Sequence, residues 1–274
     1  MASERGVELR VHGLGYAYGR RDVLSGIELS ADPGEVVGLV GPNGSGKSTL
    51  IRILSGVLGG YEGEARVGGA EVSELPRREL AKLLAVVPQE PSFSFPFTAL
   101  EIVLMGRHPH LAGLAFESER DIEQARKALE RCGAGDLADR PIQQLSAGER
   151  QRIVFAKALA QQPRALLLDE PASFMDIRYQ VELYDIVREQ AQQDGRTVLT
   201  VLHDLNLAAE YCDRIYLLKQ GRIEAGGTTE TVLTYANLTR VFDTEVYVDT
   251  HDLTGSLLVL PLSGRVRDRL AGEE

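Results

Sequence analysis

The chain has 274 residues, of which 43% are apolar and 26% charged, a composition typical of a globular protein with one large domain. Its net charge of −10 argues against a protein that binds nucleic acid irrespective of sequence, because such proteins need a positively charged face. No charge-free apolar run approaches the ~18 residues that cross a bilayer, and the first ten residues lack the apolar core of a signal peptide. Any work at a membrane is therefore expected to require another chain. Cys132 and Cys212 lack metal-type spacing and are expected to be buried, reduced thiols.

The first ninety residues alternate predicted strands with one predicted helix. Residues 7–18 alternate in polarity like a strand, and residues 26–40 predict two strands around an Asp-Pro-Gly turn. Residues 47–60 have the apolar spacing of a helix and end in glycines. A short apolar strand at residues 83–87 stops at a proline.

From Pro91 to about Gln161 the pattern becomes helical. Three stretches have helical apolar spacing, with no convincing strand between them: residues 98–107, 117–133 and 148–162. Alternation then resumes, with strands at 164–171 and 196–204, helices at 177–193 and 205–212, and a hairpin at 213–227. The continuous apolar runs of these two strands are typical of parallel strands covered on both faces. We predict an α/β core interrupted by a helical lobe, followed by a tail of short helices and one apolar strand.

A phosphate-binding pattern lies between a predicted strand and a predicted helix. The nonapeptide GPNGSGKST fits G-x-x-x-x-G-K-[ST], in which glycines allow backbone N–H groups to turn inward around a phosphate. The helix N-terminus adds its dipole, Lys47 is expected to reach the β- and γ-phosphates, and the Ser48 hydroxyl is expected to ligate Mg²⁺. The predicted nucleotide contacts are Gly41, Pro42, Asn43, Gly44, Ser45, Gly46, Lys47, Ser48 and Thr49.

Polar residues also stand at the ends of three other predicted strands. Asp169 is suited to hold Mg²⁺ through its water shell, and Glu170 to polarise a water that attacks the γ-phosphate. Acidic residues after apolar strands are common, so this pair indicates a nucleotide site only together with the phosphate-binding pattern. His203 ends its strand in the same way and is either a contact of the γ-phosphate or a structural histidine. Gln89 offers an amide oxygen to Mg²⁺ or water at the junction with the helical lobe.

These residues, with LSAGERQR at 145–152 and SFMD at 173–176, resemble the motifs of ATP-binding cassette (ABC) nucleotide-binding subunits in order and spacing, over nearly the whole chain. The resemblance implies a P-loop NTPase core of the RecA type with an antiparallel β subdomain and an inserted α-helical subdomain. It implies one domain, with a core at 1–90 and 162–227, a helical subdomain at 91–161 and a C-terminal extension at 228–274. It also implies ATP hydrolysis with Mg²⁺ held by Ser48, Gln89 and Asp169. Catalysis would fall to Glu170, His203, Lys47 and Gln89.

The same resemblance assigns roles to aromatic and signature residues. Tyr18 is expected to stack on the adenine, with Tyr16 as the less favoured candidate. The signature segment is expected to bind the ATP that is held by the phosphate loop of a second copy of the chain, so that a head-to-tail dimer sandwiches two ATP molecules. This segment consists of Leu145, Ser146, Ala147, Gly148 and Glu149.

Three residues depart from the usual pattern of the family. Ala147 replaces a glycine and Glu149 a frequent glutamine, and Met175 stands where leucine usually precedes Asp176. Because Met is unbranched and apolar, we expect the contact of this loop with the partner subunit to survive. None of these changes touches a residue that carries phosphate chemistry.

The stretch MGRHPHLAG, residues 105–113, resembles a segment of cassettes that serve importers of iron–siderophores, haem and cobalamin. His108 and His110 also suggest a metal site, but an intervening proline and the lack of nearby acidic or cysteine partners argue against it. The resemblance implies a peripheral subunit on the cytoplasmic face of the inner membrane, bound to a polytopic permease and served indirectly by a substrate-binding protein. Residues 107–109 are expected to contact the permease.

Other functions remain open at this level. A soluble ABC ATPase that moves protein or RNA usually carries two cassettes in one chain, whereas this chain has one. A cassette of iron–sulfur assembly or lipid transport is a closer alternative. A small-molecule phosphotransferase would use the phosphate loop but would leave the signature segment unexplained. The resemblance does not choose among siderophore, haem and cobalamin, because the cassette never touches the cargo.

Overall fold

The fold is described from a computed structural model over residues 6–91, 93–111 and 116–266. Its strands are β1 Leu9–Tyr18, β2 Arg21–Ala31, β3 Val36–Val40, β4 Glu62–Val67, β5 Ala70–Glu71, β6 Leu84–Val87, β7 Ala165–Asp169, β8 Thr197–Leu202, β9 Arg214–Lys219, β10 Arg222–Thr228, β11 Val246–Thr250 and β12 Leu257–Pro261. Its α-helices are α1 Lys47–Leu54, α2 Arg77–Leu83, α3 Ala99–Leu104, α4 Glu119–Arg131, α5 Ala147–Ala160, α6 Ile177–Gln192, α7 Leu205–Tyr211, α8 Thr229–Val232 and α9 Tyr235–Phe242. Short 3-10 helices cover Met105–His110, Gly135–Leu137 and Ile142–Gln144. The expectations for the first five residues and the last eight lie outside the described residues.

A six-stranded sheet with the order β10-β9-β3-β8-β7-β6 forms the core. All its strand pairs are parallel except the hairpin of β9 and β10. The strands β3, β7 and β8 are buried along their whole length, and alternate residues of β3 belong to two apolar clusters on opposite faces of the sheet. The carboxyl ends of these three strands therefore meet at one edge, where α/β sheets bind ligands.

A smaller antiparallel sheet, β2-β1-β4-β5, packs beside the first. Its buried residues Leu9 and Ile27 share an apolar cluster with Leu50 and Ile53 of α1. Because α1 contacts strands of both sheets, the helix that follows the phosphate-binding pattern is fixed on two sides. The predicted fold class, an α/β core with an antiparallel β part and inserted helices, is confirmed by this architecture and by the comparisons reported below.

The inserted helices α3, α4 and α5 pack against one another. Each begins with a reciprocal pair of hydrogen bonds between a hydroxyl residue and an acidic residue three positions later, which satisfies two backbone N–H groups. These pairs are Thr98–Glu101, Ser118–Asp121 and Ser146–Glu149. The helix predicted at 98–107 is shorter than expected, because a 3-10 segment containing Pro109 follows α3. Helix α2 was not predicted from the sequence.

The tail folds back on the core through a hairpin of β11 and β12. The side chain of Asn206, in α7, accepts from the Val259 amide at 2.8 Å and donates to the Val259 carbonyl at 3.3 Å. The apolar strand predicted in the tail is β12. Both cysteines are buried, as expected, and burial raises the pKa of each thiol. Among the described helices, none has both the length and the apolar character to span a membrane.

A buried ion pair joins α4 to the 3-10 segment that follows α3. Arg107 and Asp121 are only 6% and 8% exposed, and Arg107 Nε donates to Asp121 Oδ1 at 3.0 Å. The guanidinium also donates to the Ala160 carbonyl at 2.7 Å and to Gln162 Oε1 at 2.9 Å. Hydrogen bonds from Ser118 and from Arg107 hold the pKa of Asp121 at about 2. The carboxylate therefore stabilises the fold fully above about pH 4, and this contribution is lost as the pH falls toward 2.

Replacing Arg107 by Met should lower the free energy of unfolding by about 3–5 kcal/mol, because Asp121 is left as a buried charge without its counter-ion. The measurement is urea unfolding at pH 7. Lys127→Met on α4 is the control, since it removes only an exposed ion pair with Glu123 and should leave the free energy of unfolding nearly unchanged. Equal effects of the two changes would show that the buried pair does not hold the helical lobe.

Candidate functional site

The phosphate loop, residues 41–49, joins β3 to α1 at the carboxyl edge of the large sheet. Gly44 and Gly46 have φ angles of +77° and +110°, which L side chains rarely adopt. At Gly41 a close contact requires glycine, because an added Cβ would lie 2.0 Å from the Leu218 carbonyl oxygen. The loop is thus wound tightly before a helix N-terminus, whose first amides lack intrahelical partners.

The ammonium group of Lys47 lies inside this loop. Lys47 is 5% exposed, and its Nζ donates to the carbonyl oxygens of Gly41 at 2.7 Å and Pro42 at 3.0 Å. Burial lowers the pKa of Lys47, and the charges of Glu170 and Asp169 oppose that shift. A buried ammonium group can bind an anion, and the two carboxylates near it can bind a cation. The site therefore suits an anionic ligand that is accompanied by a cation.

Asp169 ends β7 directly beside the phosphate loop. The Ser48 hydroxyl donates to Asp169 Oδ1 at 3.2 Å, which places a hydroxyl and a carboxylate oxygen together. Burial raises the pKa of Asp169, and the neighbouring charge of Glu170 raises it further. These are the oxygen ligands that Mg²⁺ prefers, and a bound cation would stabilise the ionised form of Asp169. Ser45 Oγ, buried and without a hydrogen-bond partner among the described residues, is a further sign that the loop fits a ligand.

Glu170 is the most closely held side chain of the site. Its φ of +51° is unusual for a residue other than glycine and is the kind of backbone strain that clusters at functional sites. The Gln89 amide donates to Oε2, and His203 Nε2 is hydrogen-bonded to Oε1. Ser173 Oγ approaches Oε2 at 3.2 Å. Three side chains, two of them from distant parts of the chain, thus meet at the Glu170 carboxylate. Gln89, Glu170 and His203 are predicted from the sequence, and Ser173 is not.

An open cleft of about 910 Å³ lies over the phosphate loop. The predicted residues that line it are Tyr18, Asn43, Gly44, Ser45, Gly46, Lys47, Ser48, Thr49, Gln89 and Glu170. Gly41, Pro42, Asp169 and His203 do not line the cleft but lie against residues that do. Sequence reasoning missed Arg21, Asp22, Val23 and Gln220 as lining residues. Nearness to Tyr18 could have indicated the first three, whereas only folding brings Gln220 here.

Tyr18 stands at the mouth of the cleft and is 45% exposed. Tyr16 supports it with an edge-on ring contact, with centroids 5.0 Å apart and planes at 86°, but does not line the cleft. The structure therefore offers Tyr18 rather than Tyr16 as the aromatic surface for a base.

The signature segment, residues 145–149, lies apart from this cleft and contributes no lining residue to it. Ser146 is the N-cap of α5: its hydroxyl accepts from the Glu149 amide at 3.2 Å, and the Glu149 carboxylate accepts from the Ser146 amide at 2.7 Å. The same bond from Ser146 lowers the pKa of Glu149. The glutamate at this position is therefore explained by capping of its own helix, where a negative charge also suits the helix dipole.

Met175 packs into its own chain, and the contact of its loop with a partner subunit stays a prediction. Met175 is 7% exposed and belongs to the apolar cluster of its own chain. Asp176 is the N-cap of α6 and accepts from the Tyr179 amide at 3.3 Å. Phe174, 45% exposed, is the apolar side chain that this loop presents to solvent.

The expectation that residues 107–109 contact a membrane subunit is wrong for two of the three residues. Arg107 and Pro109 are buried inside the helical lobe, and only His108 is exposed. No group of three or more metal-ligating side chains occurs among the residues described, and His110 is hydrogen-bonded to the Gln161 carbonyl at 2.7 Å. The last residues of the stretch, 112 and 113, lie outside the described residues.

A phosphate loop after the first strand of a parallel sheet, with acidic residues at the end of a second strand of the same sheet, defines a P-loop nucleotide-binding protein. Residues 24–173 match the family model described as ABC transporter, and this match covers more than half of the chain. The chain therefore belongs to the ABC transporter family and is an ATP-binding cassette.

Two curated relatives bear on the subfamily. The hemin import ATP-binding protein HmuV of Streptomyces coelicolor is 44% identical over 253 residues, which cover 92% of this chain and 88% of the relative. The cobalamin import ATP-binding protein BtuD of Halobacterium salinarum is 39% identical over 94% of this chain, and the chain spans 64% of its length. The chain spans 55% of the length of another relative, the ABC transporter ATP-binding protein YvrA of Bacillus subtilis.

Solved structures agree with the fold. An ABC transporter of the metal-chelate type in an inward-facing conformation superposes with a TM-score of 0.82 and 28% identity, covering 96% of this chain and 99% of the other. The dimeric cassette MJ0796 superposes with a TM-score of 0.73 and 29% identity, covering 81% and 98%.

Replacing Tyr18 by Ala should weaken ATP binding about tenfold, because stacking of a base on an aromatic ring contributes roughly 1–3 kcal/mol. Tyr18→Phe is the control and should bind ATP nearly as well as the parent, since the ring is kept. Calorimetric titration in a Glu170→Gln background would measure binding without turnover. Equal affinity of the Ala and Phe variants would exclude Tyr18 from the adenine site.

Proposed function

We propose that this chain is the ATP-hydrolysing subunit of an ABC importer that takes up a metal chelate, such as haem, cobalamin or an iron–siderophore, through a membrane permease. The observation that carries the proposal is the meeting of Gln89, Glu170 and His203 beside a phosphate loop, in a chain that matches import subunits over most of its length. The proposal includes the division into a core at 1–90 and 162–227, a helical subdomain at 91–161 and an extension at 228–274.

The phosphate loop binds the triphosphate of ATP. Backbone amides of residues 43–49 and the N-terminus of α1 surround the β-phosphate. Lys47 exchanges its carbonyl partners for the β- and γ-phosphate oxygens, which compensates the cost of its burial. Ser48, Asp169 and Gln89 would hold Mg²⁺, and the bound cation would supply positive charge beside the phosphate oxygens.

Glu170 is the group that polarises the attacking water. Glu170 lines the cleft and is only 9% exposed, so with ATP in the phosphate loop its carboxylate would be available to a water beside the γ-phosphate. His203 and Gln89 hold the two carboxylate oxygens and fix the plane of the group. When ATP is bound, His203 is placed to contact the γ-phosphate and Gln89 to sense it, so hydrolysis and the helical lobe become linked through residue 89.

The signature segment completes the site of a second copy of the chain. Ser146 and the amides at the start of α5 lie away from the chain's own cleft, at a helix N-terminus that attracts anions. In a head-to-tail dimer, residues 145–149 of each copy bind the γ-phosphate held by the phosphate loop of the other, and Asp176 lies at the same interface. The similar cassette MJ0796 is dimeric in its solved structure, which supports a two-copy assembly.

Two variants with lesions in different parts of the composite site should restore activity to each other. Lys47→Ala removes the ammonium that binds phosphate, and Ser146→Arg blocks the signature contact with a bulky side chain, so each protein alone should be nearly inactive. In the mixed dimer both lesions fall in one site, and the other site is built from unaltered halves. Steady-state hydrolysis by the equimolar mixture should therefore return to a substantial fraction of the parent rate.

Mixing two preparations of Lys47→Ala is the control and should recover nothing. Full activity of Ser146→Arg by itself would contradict the two-copy site, because hydrolysis would then need no signature segment from a partner. Both variants should still unfold cooperatively, although Ser146→Arg should lower the free energy of unfolding by about 0.5–2 kcal/mol, because it removes the N-cap of α5.

The importer role requires further chains. The cassette is proposed to sit peripherally at the cytoplasmic face of the inner membrane, bound to a polytopic permease that a substrate-binding protein supplies with the chelate. A tagged chain purified from detergent-solubilised membranes of its source should retain a permease of about ten spans, and the complex should hydrolyse ATP faster when the loaded binding protein is added. Retention of iron–sulfur assembly proteins or of a lipid transporter instead would assign the cassette to those classes.

A further inference from the structure

The stretch GRHPH is not explained by the nucleotide site, and the structure gives it a different task. It forms the 3-10 segment Met105–His110, which lies against the C-terminal end of the signature helix α5. The last carbonyls of an α-helix have no partner within the helix. Here Arg107 donates to the Ala160 carbonyl at 2.7 Å, and His110 is hydrogen-bonded to the Gln161 carbonyl at 2.7 Å. Since a carbonyl only accepts, His110 Nε2 carries the proton in this bond.

Gly106 shows how closely the segment and α5 approach. A Cβ on Gly106 would lie 2.3 Å from the Lys157 carbonyl oxygen, so no other residue fits without moving α5. The φ of Gly106 is not in the left-handed region, and the contact alone therefore accounts for the glycine. Each of the residues Gly106, Arg107 and His110 thus has a partner near the end of α5.

The same end of α5 is also bonded to the core. The Gln161 side chain donates to the carbonyls of Ala81, at 2.6 Å, and Leu84, at 2.8 Å, which lie in α2 and at the start of β6. From the neighbouring turn of α2, Arg78 donates to the carbonyl of Pro109 at 3.1 Å and to that of Leu111. The 3-10 segment, α2 and the end of α5 are therefore joined by bonds that run between the core and the helical lobe.

We propose that Arg78, His110 and Gln161 form a clamp that fixes the direction of α5 relative to the phosphate-binding core, and that these are positioning residues for the signature segment. Helix α5 has 14 residues, so it is about 21 Å long. Ser146 stands at the end opposite the clamp. A change of about 10° in the direction of α5 would move Ser146 by roughly 4 Å, more than the length of a hydrogen bond. The inference rests on the proposed function in that Ser146 must meet the ATP of a second copy.

The chain offers matched controls for two members of the clamp. Arg77 is adjacent to Arg78 on α2, and His108 lies two residues before His110. Both Arg77 and His108 are exposed, and neither of their side chains has a hydrogen bond or ion pair to any described residue. Arg78→Ala and His110→Ala should therefore be compared with Arg77→Ala and His108→Ala. His110→Gln tests for rescue, because a glutamine amide can also donate to the Gln161 carbonyl.

The first measurement concerns the single chain. Spin labels at Lys127→Cys on α4 and Arg222→Cys on β10 report the distance between lobe and core by pulsed electron resonance, and both native thiols are buried. Arg78→Ala and His110→Ala should broaden the distance distribution, whereas the two controls and His110→Gln should leave it unchanged. An unchanged distribution in Arg78→Ala and His110→Ala, or equal broadening in the controls, would overturn the clamp.

The second measurement concerns assembly in a Glu170→Gln background with ATP. ATP affinity of the single chain should stay within about twofold of the parent, because no clamp residue lines the cleft. ATP-dependent dimerisation, followed by sedimentation, should weaken about three- to tenfold, since a smaller fraction of chains holds α5 in the competent direction. Parent-like dimerisation of Arg78→Ala and His110→Ala would contradict the clamp. If the parent itself does not dimerise, the two-copy site of the proposed function fails, and the distance measurement still decides about the clamp.

Discussion

The parallel pairing of β3, β8 and β7 is the constraint on which the rest of the site depends. Because side-chain register is fixed along these pairs, Val40, Leu202 and Asp169 end their strands at one edge of the sheet. Whatever follows each strand is then brought together: the phosphate loop after β3, Glu170 after β7 and His203 after β8. A one-residue slip of β7 would turn Asp169 to the other face of the sheet and separate it from Ser48.

The charged side chains at this edge of the sheet suit a ligand that carries both negative and positive charge. Lys47, Asp169 and Glu170 are all less than 10% exposed, and each is taken out of water at a cost that the others offset only in part. Burial lowers the pKa of Lys47 and raises that of Asp169, which are the shifts that a phosphate and a metal ion would reverse. Binding of a nucleotide with its metal ion would therefore offset the desolvation cost of these three side chains.

In the helical lobe, hydrogen bonds to the two ends of helix α5 set the direction of that helix. Ser146 and Glu149 satisfy the first amides of α5, and Arg107 and His110 satisfy its last carbonyls. Side chains therefore hydrogen-bond to backbone groups at both ends of the signature helix. This accounts for the glutamate in the signature segment and for the buried arginine, which sequence reasoning had placed on the surface.

The sequence by itself determined the features that depend on neighbours along the chain. The glycines of the phosphate loop, the apolar runs of β7 and β8 and the hydroxyl–acid pairs that begin helices are local, because φ preference, side-chain periodicity and capping act within a few residues. Only the tertiary structure decided the burial of Arg107 and Met175, the arrival of Gln220 at the cleft and the bonds of Arg78 and Gln161. These features depend on contacts between residues far apart in the chain. From the sequence alone, these side chains cannot be distinguished from ordinary surface groups, because their partners come within contact distance only when the chain packs.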